Sequence, residues 1–294
     1  GVFKRMVNLF YRFLMLVSRV CGIWVFVFVS KLIATGYFFL FPSRRAVSIA
    51  FYQALFPEKS RWYHIACAWK QYHRFTYSFL DRFLLEHFNN ITHTAEGREH
   101  LDHVADKGGI LVMSHLGNWE IAAHFLKQKG YPILLFMGRK HKEQIEGMQK
   151  DVLIQGGVKI IAVDPEDSSP FTLLDSIKQL KSGGIVSLTG DRIWSQGQRT
   201  VKVRFLGHEV ALPEAPYILA LLTQAPLYTF FAFRTGRNHY DLRISPPVVL
   251  PKTSRKERSE IIQQAAQNYA DTLEKMVREH PFDWYHFESF LKAE

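Results

Sequence analysis

Between residues 108 and 234 short apolar runs alternate with amphipathic stretches, and that alternation limits the fold more than any other feature of the chain. Ile110 to Met113, Tyr131 to Met137, Val158 to Val163, Gly184 to Leu188, Val201 to Phe205 and Leu227 to Phe233 read as strands. Helical patterns separate most of them: Asn118 to Gln128, Lys142 to Ile154, Pro170 to Lys181 and Pro213 to Leu222. A last helix, Lys256 to His280, carries Ile261, Ile262, Ala265, Tyr269, Leu273 and Met276 on one face. Strands divided by helices cannot pair as tight hairpins, so the pattern predicts an α/β fold with a mostly parallel central sheet covered by helices. In such a sheet the loops at the carboxyl ends of the strands build the active site.

The segment ahead of this core is different in texture. Leu9 to Phe41 is the most apolar part, broken only by Arg12, Arg19 and Lys31. A spanning helix needs about 20 apolar residues, which Val20 to Phe41 supplies if Lys31 is accommodated. No small-x-small cleavage site follows; the basic pair Arg44-Arg45 comes instead. The expectation is a hydrophobic, membrane-associated helix over residues 1–45, spanning or lying in the interface, with a buried core helix as the alternative. Residues 46–294 then form one domain, a helical lead-in over 46–100 and an α/β core over 101–294. An initial Gly1 rather than Met points to processing or to a piece of a longer chain.

Charge and cysteine usage narrow the partners. Lys and Arg number 37 against 27 Asp and Glu, a net +10 that attracts acidic surfaces such as phospholipid. Cys21 and Cys67 stand far apart without metal spacing, so neither a disulfide framework nor a zinc module is expected. Trp62, Ile65, Ala66, Trp69, Tyr72, Phe75, Phe79, Leu80 and Phe83 recur at three- and four-residue steps. Beside Arg61, Lys70, Arg74 and Arg82 that stripe also fits a nucleic-acid surface, but helical spacing is first a core signal, and no nucleic acid is expected as partner.

The chemistry concentrates in Leu111 to Leu126. A strand runs into Ser114-His115-Leu116-Gly117-Asn118-Trp119-Glu120, and a helix follows. With 13 histidines, an acidic residue five positions on is expected by chance about once, and His141 with Glu146 repeats the spacing inside a polar helix pattern. Context separates the two pairs, because only His115 ends an apolar strand, with Gly117 to turn the chain and Glu120 in the first turn of a helix. Across such a junction a carboxylate can return to the imidazole, fix its tautomer and make it a general base. The helix N-terminus adds N–H donors for an oxyanion or phosphate. A plainer reading stays open on spacing alone, with Glu120 complementing the helix dipole and His115 a core histidine. Asn118 serves as the helix cap or positions Glu120. A serine esterase would need Gly-x-Ser-x-Gly and a zinc protease His-Glu-x-x-His; the chain has neither.

The block VMSHLGNWEIAAHFL resembles the His-x-x-x-x-Asp/Glu block of glycerolipid-type acyltransferases, and in particular of the lipid A late acyltransferase family. Phe136-Met137-Gly138-Arg139 resembles the second block and Gly190-Asp191-Arg192 the third. Phe205-Leu206-Gly207, Leu212-Pro213-Glu214-Ala215-Pro216, Ala225-Pro226 and Phe233-Arg234 resemble the closing block, so the likeness covers roughly residues 10–290 in family order. It implies an O-acyltransferase moving a fatty acyl group from an acyl carrier protein or coenzyme A thioester to a hydroxyl of a lipid or glycolipid, on the cytoplasmic face of a bacterial inner membrane. His115 would be the base and Glu120 its partner, with no serine or cysteine nucleophile because the thioester is already activated; no cofactor and no metal are expected. Arg139 and Arg192 would hold phosphate or carrier groups, Asp191 would orient Arg192, and Gly117 and Asn118 would shape the substrate turn. The lipid A enzymes usually carry adjacent arginines in an aromatic C-terminal block. Here the block reads Phe282-Asp283-Trp284-Tyr285-His286-Phe287-Glu288, with none, as in a broader branch of the family, which leaves the acceptor open.

Overall fold

The computed structural model describes residues 2–87, 91–138, 159–163, 170–193 and 197–291. Two compact units arise, one of Gly1–Thr92 with His280–Ser289, the other of His93–Glu279 with Phe290–Glu294.

The first unit is helical: α1 (Val2–Cys21), α2 (Ile23–Leu40), α3 (Pro42–Leu55) and α4 (Arg61–His87). Its breaks follow backbone chemistry. Gly22 separates α1 from α2 at φ +105°, and Pro42 opens α3 where its missing N–H is no loss. The single helical stretch expected from residue 46 is interrupted at 56–60, where Pro57 stops α3. On α4 the buried side runs through Cys67, Ala68, Tyr72, Leu80 and Leu84, so the expected stripe is only partly the core face; Trp62 lies on the surface. The aromatic C-terminal segment belongs to this unit. Arg74 donates from Nε and Nη2 to Asp283 at 2.6 and 2.9 Å, and Tyr52 donates to the Pro281 carbonyl at 2.9 Å. Trp284 is buried against Phe51.

The second unit holds a seven-stranded sheet in the order β1-β9-β8-β2-β5-β3-β4, from β1 (Thr92–Glu96), β2 (Gly109–Met113), β3 (Ile133–Gly138), β4 (Lys159–Val163), β5 (Ile185–Thr189), β8 (Leu227–Arg234) and β9 (His239–Ile244). From β8 to β4 every neighbouring pair is parallel; β9 runs antiparallel to β8. Gly109 to Val112 and Leu227 to Phe233 are buried throughout, because helices cover both faces, and that is why the central strands read as unbroken apolar runs. The helices are α5 (Val104–Lys107), α6 (Trp119–Gln128), α7 (Pro170–Lys181), α8 (Ala215–Thr223) and α9 (Arg258–Glu279). The helix expected over Lys142 to Ile154 lies outside the described residues.

Three strands escape the sequence pattern: β1, β9 and β7 (His208–Pro213). The strand expected at Val201 to Phe205 is β6 (Thr200–Phe205), and it leaves the central sheet to pair with β7 in a separate hairpin turned by Leu206 and Gly207 at φ +50° and +80°. The outer edge of β6 is closed by side chains of α9. Gln267 both accepts from the Arg204 N–H and donates to its carbonyl, each at 2.9 Å, and Glu274 accepts from the Leu206 N–H at 2.6 Å. An amide and a carboxylate side chain thus stand in for a neighbouring strand.

Candidate active site

The loop after β2 is pinned from three sides. Gly117 takes φ +77°, and a Cβ there would lie 2.4 Å from the Ala232 carbonyl oxygen of β8, so the turn requires glycine on both counts. Asn118 donates its backbone N–H to the same carbonyl at 2.8 Å. Its side-chain oxygen accepts from Glu120 N at 3.1 Å and Ile121 N at 3.4 Å, the N-cap arrangement, while its Nδ2 donates to the Tyr240 hydroxyl at 3.2 Å. Glu120 is buried in the first turn of α6, where the helix dipole favours a negative charge.

His115 is partly exposed at the mouth of this turn. Its ring Nδ1 is 2.8 Å from Oδ1 of Asp191, and its backbone N–H donates to Oδ2 of the same carboxylate at 2.7 Å. Sequence spacing pairs the ring with Glu120, and the family resemblance gives Asp191 the holding of Arg192; in the folded protein Nδ1 is bonded to Asp191. The reason is sheet order. β2 and β5 pair in parallel with Met113 opposite Thr189, so two residues further along each strand His115 and Asp191 emerge side by side. Nothing local in the sequence reveals that these strands are neighbours, although Gly190-Asp191 after an apolar run marks a strand end.

The carboxylate of Asp191 is almost fully withdrawn from water, at 1% exposure, and two N–H donors from one residue satisfy it. A carboxylate on Nδ1 keeps the proton there and leaves the lone pair on Nε2, the tautomer a general base needs. Arg192 is buried beside it. Of the remaining residues expected at the site, Arg139 lies outside the described residues, as do His141 and Glu146. Among the described residues no three His, Cys, Asp or Glu side chains gather as a metal site.

Behind the histidine the structure adds residues that sequence spacing does not single out. Tyr269 of α9 donates its hydroxyl to the Met113 carbonyl at 3.1 Å, and Gly190 N donates to the same oxygen at 2.7 Å. Burial first, then the Asp191 carboxylate, hold the Tyr269 phenol well above its ordinary range, so it stays a neutral donor.

Residues 4–293 match the family model described as bacterial lipid A biosynthesis acyltransferase. A phosphatidylinositol mannoside acyltransferase of Mycobacterium tuberculosis is 26% identical over 191 residues, 64% of this chain and 57% of that protein. The corresponding protein of Mycolicibacterium smegmatis is 24% identical over 181 residues, 62% of this chain and 56% of its own length. The matched part thus spans little more than half of each relative. The family match runs through both units and includes the His115 turn and the Asp191 strand end: the chain belongs to the bacterial lipid A biosynthesis acyltransferase family.

Proposed function

We propose that this protein transfers a fatty acyl group from a thioester, carried by acyl carrier protein or coenzyme A, to a hydroxyl of a membrane glycolipid. The observation that carries the reading is the Asp191 carboxylate bonded to both the ring and the backbone N–H of His115. Nε2 of His115 takes the proton from the acceptor hydroxyl as its oxygen attacks the thioester carbonyl carbon. The tetrahedral oxyanion then collapses, the carbon–sulfur bond breaks, and the imidazolium returns the proton to the departing thiolate. Ester and thiol are the products, and no side-chain nucleophile is consumed.

Asp191 holds the imidazole and offsets the positive charge that forms on it. Glu120, five residues on and buried in the first turn of α6, is the second carboxylate of the centre. Gly117 and Asn118 shape the turn against which the acceptor lies. Arg192, and Arg139 after β3, carry guanidinium forks suited to a phosphate, which fits an acceptor of the phosphatidylinositol mannoside kind named for the relatives.

A lipid substrate agrees with the first unit. On α1 the exposed apolar residues Leu9, Phe13, Leu16 and Val20 form one stripe, and on α2 Trp24, Phe28, Leu32 and Phe39 form another. Ile23–Leu40 is long and apolar enough to cross a membrane. Ahead of Glu58 the chain has no acidic residue, while Lys4, Arg5, Arg12, Arg19, Lys31, Arg44 and Arg45 are basic. That balance suits anionic lipid, such as the cytoplasmic face of a bacterial inner membrane.

The test is thiol release from palmitoyl-CoA and from palmitoyl-acyl carrier protein by the protein in detergent, with phosphatidylinositol mannoside or a lipid A precursor as acceptor. Transfer should fall by a factor on the order of 10²–10⁴ in His115→Ala. Undiminished transfer by that variant would refute the mechanism.

A further inference from the structure

We infer that Tyr269 is a positioning residue for acyl transfer, holding the His115–Asp191 pair in register through the carbonyl of Met113. The inference rests on the mechanism proposed above. The phenol sits where the two strands that carry the pair come together. Met113 is the last residue of β2, two before His115, and Gly190 directly precedes Asp191. Both converge on one acceptor, since the Met113 carbonyl receives Gly190 N–H at 2.7 Å and the Tyr269 hydroxyl at 3.1 Å. The phenol therefore ties the ends of β2 and β5 to α9.

On the other side of the histidine, Ser114 Oγ accepts from the Leu116 N–H at 3.2 Å. That bond holds the residues immediately before and after His115, while the Tyr269 phenol holds Met113 one residue further back. Space is set as tightly as the bonds. A Cβ at Gly190 would come within 2.6 Å of the Tyr269 Cζ and hydroxyl and 2.4 Å of Val112 Cγ1, so only glycine there admits the ring.

Helix α9 is itself anchored beyond the catalytic loop. Two residues before Tyr269, Gln267 makes its paired bonds to Arg204 on β6. The same helix thus packs its Tyr269 ring against Gly190 and bonds the β6 backbone at Arg204. Removing the hydroxyl alone leaves the ring in place and takes away one of the two donors to the Met113 carbonyl.

The neighbouring phenol provides a control. Tyr217 of α8 is buried too, and among the described residues its hydroxyl has no hydrogen-bond partner. Its removal deletes a buried polar atom without breaking a bond.

The experiment compares Tyr269→Phe, Tyr217→Phe, Asp191→Asn and the double variant Tyr269→Phe/Asp191→Asn with wild type and His115→Ala. The donor is palmitoyl-CoA and the acceptor phosphatidylinositol mannoside, with melting curves to verify folding. In Tyr269→Phe, kcat should fall about tenfold with KM within about twofold of wild type, the pattern of a misplaced base rather than lost binding. Tyr217→Phe should keep the wild-type kcat. In the Asp191→Asn background, Tyr269→Phe should lower kcat by less than about twofold, because both act through one geometry. Wild-type kcat in Tyr269→Phe, an equal loss in Tyr217→Phe, or full additivity with Asp191→Asn would each overturn the positioning role. Turnover that survives in His115→Ala would instead overturn the base mechanism, so the two failures are distinct.

Discussion

At the scale of single residues, the carboxylate bonded to the His115 ring is not the one that chain spacing pairs with it. His115 and Glu120 are five apart in sequence, yet the bond to Nδ1 comes from Asp191, 76 residues away. Asp191→Asn keeps the shape but offers the wrong hydrogen-bonding set to Nδ1, so kcat should fall by about 10²-fold or more with the protein still folded. Glu120→Gln, measured in the same thiol-release assay, should lower kcat as well. If Asp191→Asn retains wild-type turnover while Glu120→Gln does not, the ring is oriented from Glu120 after all. At Gly117, alanine meets both a left-handed backbone and the Ala232 carbonyl. Gly117→Ala should therefore lose more than about 1 kcal/mol of stability in urea unfolding, and it should lose turnover with it.

At the scale of elements, local chemistry and neighbouring elements contribute in different measure. Helix α6 is set locally: Asn118 caps it in the sequence and in the fold, and Asn118→Ala should cost about 1 kcal/mol. The helix Pro170–Lys181 coincides with the stretch its pattern marks out. Strand β9 was not legible in the same way, since His239, Asp241 and Arg243 alternate with buried Tyr240, Leu242 and Ile244 across a polar-looking run. The hairpin of β6 and β7 depends on α9 to finish its edge. Gln267→Ala removes two bonds from Arg204 and leaves its N–H and carbonyl to water, a loss of about 1–2 kcal/mol seen as faster amide exchange at residues 202–206.

At the scale of the whole molecule, the charge balance and the exposed apolar stripes are what the proposed membrane association draws on. Vesicles containing phosphatidylglycerol should bind it more strongly than vesicles of phosphatidylcholine alone, and salt should weaken the electrostatic part. Trp24→Asp with Phe28→Asp should reduce co-flotation with both kinds of vesicle while leaving turnover of detergent-dispersed substrate intact. Equal flotation of that variant and wild type would show that these stripes do not face lipid.

The α/β class, the turn at Ser114 to Glu120 and the family blocks were already in the sequence, because each follows from local periodicity, turn chemistry or residue order. Apolar runs declare a buried parallel sheet; glycine and asparagine declare a turn and a cap. Three things came only from the folded chain: the order of the strands, the carboxylate that meets His115, and the phenol of Tyr269 behind it. A strand's hydrophobicity says that it is buried but not beside which strand, and pairing β2 with β5 is what brings residues 115 and 191 together. The turn at His115 was thus legible as a turn between strand and helix, while the carboxylate bonded to its ring belonged to the tertiary structure.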